Sequence, residues 1–477
     1  MNQMAVSTDT LEIERMEATL VRQQQAFEAR PFPTYEERVQ ALKSLIAALK
    51  RNKHRIVEAV DADFEGRAAF ETLQVEVMGP ILQARHAISR LRRWMKPSRR
   101  STELLFAGNK AWVEYQPKGV VGIVGAWNFP LYLSLGPLVA ALAAGNRAMI
   151  KMPELAPRTR QVMTELLAEC FSEDQVAVFG GEVEEAKVFT RLHFDHLIFT
   201  GAPEVGRQVM KAAAENLVPV TLELGGKSPA IIGKGANVRD AALRIAHGKS
   251  FNAGQICVAP DYVLVPRGKG AAFAEAVKAA FESLHESPES SDEYTSIVSD
   301  RHARRLHMLI EEAEAKGAQV TRCGAAGANH RRIPLHIVTE VKDDMLIARE
   351  ELFGPILPVI EYETLDEAIA YIRQRPRPLA LYPLGISGAE LKRLTRETHS
   401  GGVTVGDWAW HVFQHDMPFG GIGNSGMGSY HGEEGFVALS HGKAIFRRRS
   451  WFPTQLFYPP YGRFVQKLAL RLYLGKS

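Results

Sequence analysis

Between residues 119 and 224, short apolar runs alternate with stretches of helical spacing, and this rhythm constrains the chain more than any other feature. Gly119-Val-Val-Gly-Ile-Val-Gly, Arg147-Ala-Met-Ile-Lys, Val176-Ala-Val-Phe, His196-Leu-Ile-Phe-Thr and Pro219-Val-Thr-Leu-Glu-Leu read as strands. Residues 131–144, 157–171, 182–191 and 204–216 read as the helices between them. Apolar strands of this kind need helices on both faces, so the pattern predicts a mostly parallel α/β sheet. Such sheets bind ligands in the crevice at the carboxyl ends of their strands. A second αβ series starts at Ser228-Pro-Ala-Ile-Ile and includes a helix over 239–251, the strand Tyr262-Val-Leu-Val and a charged helix over 300–316. It reaches about Gly406, and the two halves are expected to pack with a cleft between them. The first ninety-odd residues read as helical, with one face at Val39, Leu42, Leu45, Ile46 and Leu49 and another at Ile81, Ala84, Ile88, Leu91 and Trp94.

Several classes are excluded. Residues 119–146 carry no charge, but Gly125-Ala-Trp-Asn-Phe-Pro and Gly136-Pro137 interrupt them, and a bilayer would not tolerate the exposed backbone. Net charge is +4, too small to argue for nucleic acid. From Phe436 to Ser477 there is no Asp or Glu but eight Lys or Arg; such a tail fits a solvated face or a contact with acidic surface, membrane included. The three cysteines cannot form a disulfide framework, and no Cys-x-x-Cys or His-Glu-x-x-His suggests a metal. An acidic N-terminus without an apolar core is not a signal peptide, so the expected compartment is the reducing cytoplasm.

Three residues carry candidate chemistry. Cys257 sits in the small-residue loop Phe251-Asn-Ala-Gly-Gln-Ile-Cys-Val, open to close ligand approach, where a thiolate would be a strong nucleophile; a lone cysteine otherwise reads as a small buried hydrophobe. Glu223 ends an apolar strand just before two glycines, where desolvation would raise its pKa towards that of a general base; the bland alternative is an ion pair with Lys227. Asn128 follows the first strand, where its amide could donate to an oxyanion or simply shape a turn before Pro130. Two further strand ends suit a nucleotide. Gly201-Ala-Pro-Glu-Val-Gly206 leads into a helix N-terminus that could face a pyrophosphate, and Lys151-Met-Pro-Glu154 could take ribose hydroxyls. Neither segment is a P-loop or a GxGxxG turn.

These segments resemble the aldehyde dehydrogenase superfamily over nearly the whole chain. Leu222-Glu-Leu-Gly-Gly-Lys-Ser looks like its glutamate motif, Asn252-Ala-Gly-Gln-Ile-Cys like its cysteine motif, and Glu350-Glu-Leu-Phe-Gly-Pro355 like the segment at the nicotinamide ribose. Met417-Pro-Phe-Gly-Gly-Ile-Gly-Asn-Ser-Gly-Met-Gly-Ser-Tyr-His-Gly resembles the class 3 branch, and Gln255-Ile-Cys-Val-Ala-Pro-Asp-Tyr-Val-Leu-Val-Pro the coniferyl aldehyde dehydrogenases within it. The resemblance implies a Rossmann-like dinucleotide-binding domain over 1–105 and 118–224, a catalytic domain over 225–415, and an oligomerisation arm and tail over 106–117 and 416–477. It also implies Cys257 as nucleophile, Glu223 as base, and Asn128 with the Cys257 N–H as oxyanion hole. NAD or NADP would be held by Lys151 and Glu154 at the adenosine ribose and by Thr200, Gly201, Ala202, Val205 and Gly206 at the pyrophosphate turn. Gly225, Glu351 and Phe353 complete the cofactor set, the last two at the nicotinamide end. Ala126, Met152-Pro153 and Ala202 depart from the family pattern, the last two within the cofactor site.

The expected reaction is oxidation of an apolar or aromatic aldehyde, coniferaldehyde among the candidates, to the acid through a thiohemiacetal and a thioester. The alternatives are a CoA-acylating enzyme, in which the glutamate is commonly missing, and a cofactor-independent cysteine esterase, which would need a histidine beside the thiol. The resemblance places Trp408, Trp410, His411 and Phe413 near the substrate funnel, although aromatic residues also simply pack interiors. The expected assembly is a homodimer, with the C-terminal tail packing on the partner, capping the substrate entrance or touching membrane.

Overall fold

Helix-covered parallel strands form the centre of the larger of two compact units, which comprises residues up to Trp94 together with Pro117–Ser440. The structure is a computed structural model and describes residues 8–325 and 330–475. Its six-stranded sheet runs in the order Val176–Phe179, Arg147–Lys151, Val120–Val124, His196–Gly201, Val220–Leu224 and Gly426–Met427. All neighbours pair in parallel except the last, where Gly426 stands opposite Glu223 in antiparallel register. The order reverses between Val120–Val124 and His196–Gly201, and open α/β sheets form a ligand crevice at such a switch point. Every strand expected for this sheet from residues 119–224 is present, within a residue or two at each end.

The uncharged stretch is buried for a reason visible in its surroundings. Strand Val120–Val124 is central in the sheet, and every residue of the helix Tyr132–Ala144 is buried. That helix ends at Gly145, whose φ of 89° and N–H bonds to Ala141 and Leu142 carbonyls close its last turn. A side chain at Gly145 would collide with the buried Arg38, whose Nη1 donates to the Ala143 carbonyl at 3.1 Å. A cation thus meets the negative end of the helix dipole.

A seven-stranded sheet spans the second series in the order Gln319–Arg322, His336–Thr339, Ile356–Tyr362, Tyr262–Pro266, Pro229–Ile232, Ala380–Leu384 and Gly402–Val403. Only Gln319–Arg322 pairs antiparallel. Residues 8–94 are mostly helical as expected, residues 1–7 lying outside the described residues, with one addition: Leu73–Met78 is a π-helix between Ala69–Thr72 and Gly79–Trp94.

The smaller unit comprises Met95–Gln116 and the residues from His441 onwards. Its three-stranded sheet orders Ser98–Arg100, Lys110–Pro117 and Ser440–Arg447. Phe106 packs against Phe446, Phe452 and Phe457 at 6.1–6.3 Å, and Phe464–Leu474 forms a helix with no buried residue. The boundaries differ from the expected ones. Residues 416–440 belong to the larger unit, because Gly426–Met427 pairs with the Glu223 strand and the helix Gly432–Ala438 follows it. Residues 95–105 fall with the small sheet, through the pairing of Ser98–Arg100 with 111–113.

Gly426 has a φ of 137°, and a Cβ there would lie 2.1 Å from the Leu222 carbonyl oxygen. Gly426→Ala should therefore strain the pairing beside Glu223 and cost about 2 kcal/mol or more, read as a lowered melting temperature.

Candidate active site

The switch point gathers the predicted residues from separate strand ends. Glu223 lies within the Val220–Leu224 strand, 1% exposed, and neither carboxyl oxygen has a hydrogen-bond partner. Burial and the nearby Glu351 push its pKa up to about 8. Lys227 does not pair with it. Instead Lys227 Nζ is paired with Asp261 and donates to the Ile347 and Glu350 carbonyls at 2.8 and 2.7 Å. The bland reading of Glu223 as an ion-paired strand residue is thereby removed.

Cys257 is partly exposed, whereas Cys323 is buried, and Glu223 and Glu351 both bear on its sulfur. Burial of the thiol and these two carboxylates hold its pKa well above the ordinary value, opposed by the N–H groups of Cys257 and Val258, which donate to Sγ. Thiol and carboxyl groups therefore keep their protons at neutral pH, and ionisation of one opposes ionisation of the next. The loop before the cysteine is tightly shaped. Asn252 and Ala253 have φ of 49° and 51°, and Gln255 Nε2 donates to the Asn252 and Ser296 carbonyls at 3.0 and 3.1 Å. Asn128, 2% exposed, donates through Nδ2 to the Gln255 carbonyl at 3.1 Å, so its amide reaches the same loop. Two tyrosine hydroxyls, Tyr132 and Tyr430, are buried here without partners and sense both Glu223 and Cys257.

The cofactor candidates occupy neighbouring strand ends. Lys151 is buried, and Nζ donates to the Met152 and Gly181 carbonyls at 3.0 and 2.7 Å, leaving one of its three N–H groups. Glu154 is exposed and lines a cavity of about 980 Å³ with Trp127, Ser299, His302 and Arg305. Gly201 precedes the helix Pro203–Ala214, whose cap residue is Ala202 and whose first-turn N–H groups have no intrahelical partner. Val205 is half-exposed on that turn, while a Cβ at Gly206 would press on Leu224 at 2.6 Å, so glycine lets the helix approach the strand. The Glu351 carboxyl rests over Gly225, where a Cβ would lie 2.0 Å from Oε2, and accepts from the Gly226 N–H. Burial and Asp261 raise its pKa to about 8. Phe353, at φ 50°, meets Trp127 edge-on at 5.2 Å.

These residues fit a nicotinamide dinucleotide. Thr200 Oγ1 is buried without a partner at the end of its strand, the helix after Ala202 offers N–H groups to a pyrophosphate, and the carboxyls of Glu154 and Glu351 can accept from sugar hydroxyls. Among the described residues no cluster of His, Cys, Asp or Glu could hold a metal ion. Trp127, His302 and Arg305 escaped the sequence reading, since an aromatic in an apolar run and two basic residues on a charged helix look structural and solvated. The aromatic segment divides: Trp408 is 9% exposed and donates to His247, His411 is buried against Thr404, and Trp410 is exposed and donates to Asp407.

Residues 5–445 match the aldehyde dehydrogenase family. A Pseudomonas aeruginosa protein named probable coniferyl aldehyde dehydrogenase is 49% identical over 463 residues, covering 97% of each chain. The substrate-bound state of Staphylococcus aureus AldH superimposes with a TM-score of 0.90 at 34% identity, over 96% of this chain and 99% of that one. A Mycobacterium tuberculosis aldehyde dehydrogenase complexed with NAD+ gives a TM-score of 0.83 at 27% identity, over 91% and 90% of the two chains. The chain belongs to the aldehyde dehydrogenase family and oxidises an aldehyde to the carboxylic acid with NAD or NADP.

Proposed function

We propose that Cys257, Glu223 and Asn128 carry this oxidation and that the substrate is an aromatic, coniferaldehyde-type aldehyde. The observation that carries the assignment is a buried, unpartnered carboxylate bearing on a partly exposed thiol. Cys257 Sγ, its proton released to solvent, adds to the aldehyde carbonyl carbon, and the carbonyl π pair passes to oxygen. The resulting oxyanion sits between the Asn128 amide and the Cys257 N–H. The dinucleotide, when bound, supplies the acceptor that oxidises this thiohemiacetal to the thioester. Glu223 then takes a proton from water, the water oxygen attacks the thioester carbon, and the C–S bond breaks to release acid and thiol. Lys151 and Glu154 hold the adenosine ribose, the turn Thr200, Gly201, Ala202, Val205 and Gly206 the pyrophosphate, and Gly225, Glu351 and Phe353 the nicotinamide end.

The coniferyl assignment rests on the relative named above and on the buried Tyr132 and Tyr430 rings beside Glu223 and Cys257. Turnover of coniferaldehyde, benzaldehyde and hexanal with NAD and NADP tests it: the phenylpropenal should have the highest kcat/KM, and a preference for hexanal would refute the assignment. The glutamate disfavours a CoA-acylating enzyme, and a rate unaffected by CoA is the expected result. We place the protein in the cytoplasm as a homodimer. The exposed edge strand Ser440–Arg447, with Phe446 and Trp451 half-exposed or more, supports pairing with a second copy. Sedimentation should give twice the 52.9 kDa chain mass. Membrane contact through the basic tail is the weaker reading; among the described residues no helix is long and apolar enough to cross a membrane.

Glu223→Gln should form one equivalent of reduced nicotinamide in a burst and then turn over slowly, because the thioester forms but is not hydrolysed. Stability supplies a second readout. The folded protein holds the Glu223 proton up to about pH 8, whereas the unfolded chain loses it near 4.5. Between those values the folded state binds the extra proton, so this group's contribution to stability falls as pH rises. The melting temperature of Glu223→Gln should match the parent at pH 4.5 and exceed it by a growing margin up to pH 8.

A further inference from the structure

Arg67 plays no part in the chemistry above, yet its side chain is fully buried beside the site. It occupies the short connection between the helices Tyr35–Phe64 and Ala69–Thr72, where its backbone N–H donates to Asp61 Oδ1 at 2.7 Å. The guanidinium lies against the Phe64 and Phe129 rings at 4.7 and 4.8 Å. Nη1 donates to the backbone carbonyl of Asn128 at 3.0 Å, while Nε and Nη2 make no hydrogen bond. Charge balance comes from Glu71, 3.8 Å away, and from Glu76. These carboxylates also grip both catalytic loops. Glu71 accepts the Asn252 N–H at 3.0 and 3.1 Å and the Thr295 hydroxyl at 2.7 Å, and Glu76 accepts the Leu131 and Tyr132 N–H groups at 3.0 and 2.8 Å. Asn252 Nδ2 reaches the Asn128 carbonyl at 3.2 Å from the other side.

Burying an arginine with two carboxylates is seldom favourable for stability alone, whereas a planar guanidinium held against two rings and aimed through Nη1 at one carbonyl fixes the orientation of what it binds. The carbonyl it binds belongs to the same residue whose amide faces the cysteine loop. Fixing that peptide fixes the backbone from which Nδ2 projects, and sub-ångström placement of such a donor governs its effect on an oxyanion. We infer that Arg67 is a positioning residue: held by Glu71 and Glu76, it locks the Asn128 peptide so that the amide meets the oxyanion formed on Cys257. The inference rests on the role proposed for Asn128.

A double-mutant cycle with coniferaldehyde and NAD tests it. Asn128→Ala alone should lower the first-turnover rate by about 10²–10³-fold; full activity would end the oxyanion reading itself. Arg67→Lys keeps the charge facing Glu71 and Glu76 but not the planar guanidinium that packs on the two rings. It should lower kcat about 10- to 100-fold with KM values and iodoacetamide labelling of Cys257 within about threefold of the parent. In the Asn128→Ala background the same change should cost less than about threefold, because there is no amide left to position. An unchanged kcat in Arg67→Lys, or an equal loss in both backgrounds, overturns the inference. Should Arg67→Lys fail to fold, Glu71→Gln supplies the second test: it removes the charge beside the guanidinium and should show the same non-additivity with Asn128→Ala, with additivity again refuting the inference.

Discussion

A carboxyl group held out of water without a partner costs about 1–3 kcal/mol, more if it ionises, and Glu223 is in that state. The strand on which it stands exists to bury apolar residues, and the antiparallel pairing with Gly426–Met427 closes the sheet beside it. The consequence is electrostatic. Glu223, Glu351 and the Cys257 thiol occupy one poorly solvated region, so each negative charge raises the cost of the next. Glu223 and Glu351 therefore keep their protons up to about pH 8, and the Cys257 thiol keeps its own well above its ordinary range.

That isolation depends on other charges being fully engaged. Lys227, four residues from Glu223, would neutralise it if free, but Asp261 and two backbone carbonyls occupy its ammonium group. Asp261 in turn accepts the Leu352 N–H at 2.9 Å, so the pair that removes Lys227 also fixes the segment carrying Glu351 and Phe353. Arg67, Glu71 and Glu76 do comparable work on the opposite loops.

The sheet was legible in the sequence because alternation of apolar runs and amphipathic stretches is a local signal, and its strand ends led directly to Asn128, Glu223 and the turn at Gly201. The second sheet was less legible, since its strands are separated by longer and more polar stretches. Arg67, Glu71 and Glu76 escaped notice for a clear reason. Charged residues at helical spacing read as solvated, and only partners far away in the chain, at Asn128, Thr295 and Asn252, bury them. Lys227 misled in the opposite way: its nearness to Glu223 suggested a pair, but Gly225 and Gly226 intervene and the side chain turns to Asp261. The pairing of Gly426–Met427 beside Glu223 was not legible, because a two-residue strand has no periodicity to read.

That two-residue strand has a consequence during synthesis. The Glu223 strand remains an open edge until Gly426 has left the ribosome, because its outer neighbour comes from late in the chain. Cys257 thus emerges well before the frame around Glu223 is finished, and an open parallel edge invites pairing with other chains. Aldehyde chemistry becomes available only when nearly the whole polypeptide has been made.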